Sequence, residues 1–326
     1  MPESQLMSRN DARRILLVGS ARSGTSWTGR ALGCAEATAY VNEPDNVDAN
    51  PAPGARTGVR GLGPFPVIAP GDESPGFEAL WALAFSARVP NRKGIRRGVS
   101  RLALRLPRPV RDPLMRRVAR VVASAPGAPQ HTVAKSVMAH FSLQWIWERF
   151  QPRVVIIQRN PLNVVSSWIT LNVHGFDIHR RAAILERFAE PIGIRSPGPA
   201  TTPLSLTAWW VGLLNVTLAR AAAAHPEWIV ISHESLCDET ELAFHDLYAR
   251  LGLTWTARSD KFLAEYGYHR PTFRPSYAPG EGLTSREITR AQTQRWRERL
   301  SDDQVREIES VLEAFPTRGW VRQPTL

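Results

Sequence analysis

Four short apolar runs punctuate the chain: 15–18 (I-L-L-V), 131–137 (H-T-V-A-K-S-V), 153–157 (R-V-V-I-I) and 228–232 (W-I-V-I-S). Their length predicts strands rather than helices. The third is almost wholly apolar, as a parallel strand covered on both faces must be. Helices are predicted over 25–34, 77–88, 162–171, 204–224, 241–251 and 302–315, the last two amphipathic. The stretch 204–224 is the most apolar, but Asn215 and Arg220 interrupt it. It therefore reads as a buried helix with Trp209 and Trp210 in the core, not as a membrane span. Strands alternating with helices predict an α/β fold, a central parallel sheet flanked by helices. A chain of 326 residues can bury one sizeable core. No internal repeat appears, so 1–326 reads as a single domain. Residues 50–75 are dense in Pro and Gly and predict an irregular surface loop.

Composition narrows the setting. Cys34 and Cys237 are too few for a disulfide framework or a cysteine metal site and point to a reducing compartment. Residues 1–11 are polar and lack a secretory apolar core, so a soluble, cytoplasmic protein is expected. The net charge is +11, and it is concentrated. From Arg92 to Arg120 there are eleven Lys/Arg against a single acid, Asp112. Such a stretch attracts anions of any kind, and a solvated face, a membrane surface or a platform for an anionic acceptor all fit it. No helix-turn-helix or zinc pattern accompanies the charge, so no nucleic-acid partner is expected.

The densest chemistry follows the first strand, in 14–27 (R-I-L-L-V-G-S-A-R-S-G-T-S-W). Strand, small-residue loop and helix is the geometry that cups an anion. The loop amides point inward, and the helix dipole favours negative charge there. Against the nucleotide loop G-x-x-x-x-G-K-[ST], Gly19, Gly24 and Ser26 keep their places. Thr25 replaces the lysine, and Arg22 supplies a cation three residues earlier. Transfer of a γ-phosphate ordinarily needs that lysine and a Mg²⁺ ion. This loop therefore suits a transferred group of lower charge, such as a sulfuryl group. Trp27 offers a flat face for a purine, or else packs the first helix on the sheet.

Here the chain resembles a family. S-A-R-S-G-T-S-W is similar to the phosphosulfate loop of sulfotransferases that use 3′-phosphoadenosine 5′-phosphosulfate (PAPS). Further along, Arg159 and Ser167 stand in R-N-P-x(5)-S after a predicted strand, and Pro161 suits a helix start. A guanidinium and a hydroxyl suit a phosphate, and the spacing resembles the family's 3′-phosphate motif. Glu43-Pro44 stands where polysaccharide-type members carry a Glu-Pro pair whose Glu is the catalytic base. Taken alone, Glu43 would read as a solvated loop residue, held extended by the following proline. Lys135-Ser136 resembles the family's Lys-Thr/Ser, with the lysine near the sulfuryl group. Cytosolic-type members place a catalytic His next, where this chain has Val137. His140 is the reserve base, or a helix-surface histidine. His233-Glu234-Ser235-Leu236 resembles a segment after the last core strand, and Trp296-Arg297 the pair after the family's C-terminal loop. Ser285, Arg286 and Arg290 are the loop candidates for the 3′-phosphate, Arg290 foremost.

The resemblance implies a P-loop-like single domain that binds PAPS and its product PAP and moves a sulfuryl group in line to an acceptor hydroxyl, with no metal. Arg22, Ser23, Gly24, Thr25 and Ser26 would hold the phosphosulfate, and Trp27 would stack on the adenine. Arg159, Ser167, Arg290, Trp296 and Arg297 would bind the 3′-phosphate end. Glu43 would act as base, and Arg22 and Lys135 would stabilise the leaving oxygen. Residues 50–130 and 172–202 would be acceptor-side insertions, the latter as a lid. The acceptor itself is not named by the residues; a sugar-containing, small-molecule or lipid-like hydroxyl all fit. The alternative is a non-catalytic nucleotide- or anionic-lipid-binding protein that uses the basic stretch. A small-molecule P-loop kinase is disfavoured by the missing lysine.

Overall fold

The structure is a computed structural model that describes residues 14–47, 59–87, 129–173, 177–266 and 293–316. The basic stretch from Arg92 to Arg120 and the loop candidates Ser285, Arg286 and Arg290 lie outside the described residues.

Five strands form one parallel sheet in the order β2-β3-β1-β4-β5. They are β1 (Arg14–Val18), β2 (Thr38–Asn42), β3 (His131–Ser136), β4 (Arg153–Gln158) and β5 (Ile229–Ser232). The central strand β1 pairs Leu16 with Ala134 on one side and with Val154 on the other. Its residues alternate between two cores, which explains the unbroken apolar run. Leu16 and Val18 join the cluster under α2 (Pro75–Phe85) and α3 (Leu143–Phe150). Ile15 and Leu17 join the opposite cluster, with α1 (Thr25–Leu32), α6 (His233–Asp238) and α7 (Thr240–Leu251). A third cluster binds α4 (Pro161–Thr170), α5 (Pro203–Ala224) and α9 (Asp302–Glu313) together. Each fully buried Leu, Ile or Phe contributes about 1.5–3 kcal/mol relative to an exposed one.

Caps set several boundaries. Asn160 caps α4 by accepting from Leu162 N, with Pro161 opening the helix. Thr202 caps α5 through Ser205 N, and Ser301 with Gln304 forms a reciprocal capping box on α9.

The structure departs from the sequence reading in places. Residues 38–42 form an edge strand, and Ala257–Tyr266 forms a further helix, α8; the apolar pattern announced neither. Glu43 is not extended: its φ is +48°, in the left-handed region, because the chain turns at the end of β2. The described part of 172–202 is a series of short helical turns whose Ile178, Ile184, Ala189 and Ile194 are core residues. Trp209 and Trp210 are buried as expected.

The connection after β1 leads toward β2, whereas that after β4 leads to β5 on the other side. The chain therefore diverges at the carboxyl ends of β1 and β4, the crevice where open α/β sheets bind ligands.

Candidate functional site

The loop between β1 and α1 fills that crevice. Ser23 N donates to Ser20 O (3.0 Å), and Trp27 N and Thr28 N both donate to Gly24 O (3.0 and 3.1 Å). The amides of Gly24, Thr25 and Ser26 donate to no acceptor among the described residues. Gly24 has φ +95°, and a Cβ there would lie 2.1 Å from His233 Cδ2. Only glycine lets the imidazole close against the loop. Burial, then the charges of Arg159 and Arg22, hold the His233 pKa well below the usual value, so the ring stays neutral.

Arg22, itself at φ +71°, joins the loop to α4. Its Nε donates to Ser167 Oγ at 3.1 Å. Arg159 Nη1 donates to Arg22 O at 2.6 Å, and Trp168 Nε1 to Ala21 O at 2.9 Å. Burial and the charges of Arg159 and Arg299 push the Arg22 pKa down to about 10. Arg159 is lowered chiefly by burial, with Arg299 and Arg295 adding to the effect and Glu234 opposing it. Glu234 Oε1 accepts from Asn160 N (3.0 Å), and burial raises its pKa. Arg159 thus feels Arg295 and Arg299, with Glu234 as a partly compensating carboxyl group, and Arg22 feels Arg159 and Arg299. Surplus positive charge about the buried Arg22 and Arg159 suits an anion.

A second group stands at the ends of β2 and β3. Lys135 is 1% exposed, and its Nζ pairs with Glu43 Oε1. Asn46 Nδ2 donates to Glu43 Oε2 at 2.6 Å, and Glu43 N to Lys135 O at 2.7 Å. One residue along, Ser136 Oγ donates to Asp45 Oδ2 (2.7 Å) and accepts from Met138 N and Ala139 N. Burial pushes the Asp45 carboxyl up to about 7. Glu43 is thereby aimed by a lysine and an amide while staying partly solvent-accessible, at 12%. Lys135 is not an unpaired cation at a strand end; it is the counter-ion of the candidate base.

Three expectations are corrected by packing. Trp27 is 3% exposed and meets Phe244 edge-on at 5.0 Å, so its ring packs α1 on the core and leaves no face for a purine. His140 is not on a helix surface. It is buried beside Phe65, and its pKa falls to about 3 because the charged form is desolvated. Arg297 lies over the Trp296 ring at 4.4 Å, while the half-buried Arg295 and the exposed Arg299 are the cations felt by Arg159. Asn46, Asp45, Arg295 and Arg299 went unnoticed in the sequence. The turn chemistry of N-E-P-D-N was the only signal for the first two. Among the described residues no cluster of three or more His, Cys, Asp or Glu suits a metal ion, and no helix is long and apolar enough to cross a membrane.

No protein-family model matches the chain, and no curated protein matches it. Solved structures to which it is similar include bacterial sulfotransferases. The sulfotransferase domain from the curacin biosynthetic pathway aligns with 92% of this chain and 97% of its own, at 13% identity and TM-score 0.48. The sulfotransferase domain from the Synechococcus PCC 7002 olefin synthase aligns with 93% and 96%, at 14% identity and TM-score 0.46. A sulfotransferase from Mycobacterium avium aligns with 93% and 77%, at 12% identity and TM-score 0.42. Similarity at this level transfers no residue role to this chain.

Proposed function

We propose that this protein is a sulfotransferase that moves the sulfuryl group of PAPS to an acceptor hydroxyl. The observation that carries the reading is the hydrogen bond from Arg22 Nε to Ser167 Oγ. It joins the loop after β1 and the R-N-P-x(5)-S helix after β4 into a single cationic cradle. In this reading the amides of Gly24, Thr25 and Ser26, with Arg22, hold the 5′-phosphosulfate. Arg159 and Ser167 hold the 3′-phosphate, and Ser23, buried in the loop, keeps its shape. The acceptor oxygen forms a bond to sulfur while the bond from sulfur to the phosphate oxygen breaks. Glu43 takes the acceptor proton, and Lys135 and Arg22 stabilise charge on the departing PAP oxygen. Glu43 can act only as its contact with Lys135 loosens, and the leaving-group charge gives Lys135 an alternative partner.

Calorimetry of 3′,5′-PAP against 5′-AMP and ATP, without added metal, tests the reading. A preference for PAP of tenfold or more supports it, whereas equal affinities would reduce Arg159 and Ser167 to structural residues. Glu43→Gln should retain PAP affinity within about twofold and lose turnover by about 10²–10⁴-fold, the usual contribution of a general base. Unchanged turnover with any accepted hydroxyl would remove Glu43 as base.

A further inference from the structure

Asn163 lies in the first turn of α4, midway in sequence between Arg159 and Ser167, the two residues assigned to the 3′-phosphate, and it is 2% exposed. Its amide reaches a segment more than a hundred residues later in the chain. Nδ2 donates to Thr293 O at 2.7 Å, and Oδ1 accepts from Trp296 N at 3.2 Å. Both partners are main-chain groups, so the amide fixes the path of the segment rather than one side chain. A single planar group that donates and accepts is required; a carboxylate or an apolar isostere supplies at most half. Trp296 O then accepts from Arg299 N and Leu300 N, continuing the turn Arg295–Glu298. Trp296 and Leu300 rest against the cluster that holds α4 and α5.

The segment fixed in this way delivers charge. Arg295 and Arg299 act electrostatically on Arg159, and Arg299 also on Arg22.

We propose that Asn163 is a positioning residue, a latch that holds 293–300 so that Arg295 and Arg299 complete the anion site and make it select a nucleotide bearing a 3′-phosphate. The proposal rests on the sulfotransferase reading and adds to it the source of donor selectivity. It assigns the role to Arg295 and Arg299, which act electrostatically on Arg159, rather than to Arg297, which lies over the Trp296 ring.

The test is calorimetric binding of 3′,5′-PAP and of 5′-AMP to the full chain and to Asn163→Ala, Asn163→Asp and Arg299→Gln. In Asn163→Ala and Arg299→Gln, PAP binding should weaken about tenfold while 5′-AMP binding changes less than about twofold. The salt dependence of PAP binding should become shallower in both. Asn163→Asp keeps an acceptor for Trp296 N but loses the donor to Thr293 O, and it should also lose selectivity. A PAP-to-AMP ratio that survives in the variants overturns the latch and leaves the sulfotransferase reading standing. Parallel weakening of both nucleotides also overturns it, since that is what a general structural role produces. Should Asn163→Ala fail to fold, a retained ratio in Arg299→Gln and Asn163→Asp is decisive against the proposal. A wild-type chain without PAP preference overturns both readings together.

Discussion

Asp45 is a single carboxyl group through which pH acts on this fold. It is buried, hydrogen-bonded to Ser136, near the like charge of Glu43 and the opposite charge of Lys135, and its pKa lies at about 7 instead of the ordinary 3.8. The folded state therefore binds a proton that the unfolded chain has already released over the interval between those values. The stability this group contributes is complete below the unfolded pKa and is lost as pH rises through about 7. Asp45→Asn keeps an acceptor for Ser136 and removes the titration. Its melting temperature should gain on wild type progressively from pH 5 to pH 8. Thermal melts at matched ionic strength measure this, and a difference that stays constant across the interval would mean that Asp45 does not titrate there.

At the scale of elements, legibility followed the apolar runs. β1 and β4 were readable because their apolar residues run almost unbroken between two cores, and the edge strand β5 because I-V-I is apolar although Val230 is 36% exposed. β2 was not, because its Thr38, Ala39 and Tyr40 are only half-buried and T-A-Y-V-N has no apolar run. α8 was missed because A-R-S-D-K-F-L-A-E-Y is mostly polar and packs through a few residues such as Phe262 and Leu263. Residues 178–194 break into turns too short for a helical period to emerge. The site divided the same way. Arg22, Glu43, Lys135, Arg159 and Ser167 each stand in or just after a local motif at a strand end, which is why the sequence and its resemblance pointed to them. The bond from Asn163 to Thr293 spans 130 residues and joins a side chain to a main-chain group, which no local pattern records. Packing also overrode one local reading: Trp27 looked available for a base, but the fold spends its ring against Phe244.

On the scale of the whole molecule, the candidate site draws on the carboxyl ends of all five strands and on a segment near the C-terminus. β1 supplies the amide loop, β2 Glu43, β3 Lys135, β4 Arg159, β5 His233, and the distant segment Arg295 and Arg299. A ligand that engages this edge stabilises the folded chain as a unit, because none of these groups is near another in the unfolded state. At a concentration 100 times its Kd, PAP should add about 2.7 kcal/mol, which for a chain of this size is a rise in melting temperature of about 4 °C. The more discriminating readout is where protection appears. Hydrogen exchange with PAP bound should slow together in 19–26, 159–167 and 293–300, because the Arg22–Ser167 and Asn163–Thr293 bonds make these segments one body. Protection by 5′-AMP should favour 19–26, since it lacks the phosphate that faces α4 and the later segment. If PAP protects 19–26 alone, the loop is a self-contained anion cup and the distant arginines play no part in binding. If all three segments respond to PAP and only the first to 5′-AMP, the 3′-phosphate is the group that draws the edge of the sheet together.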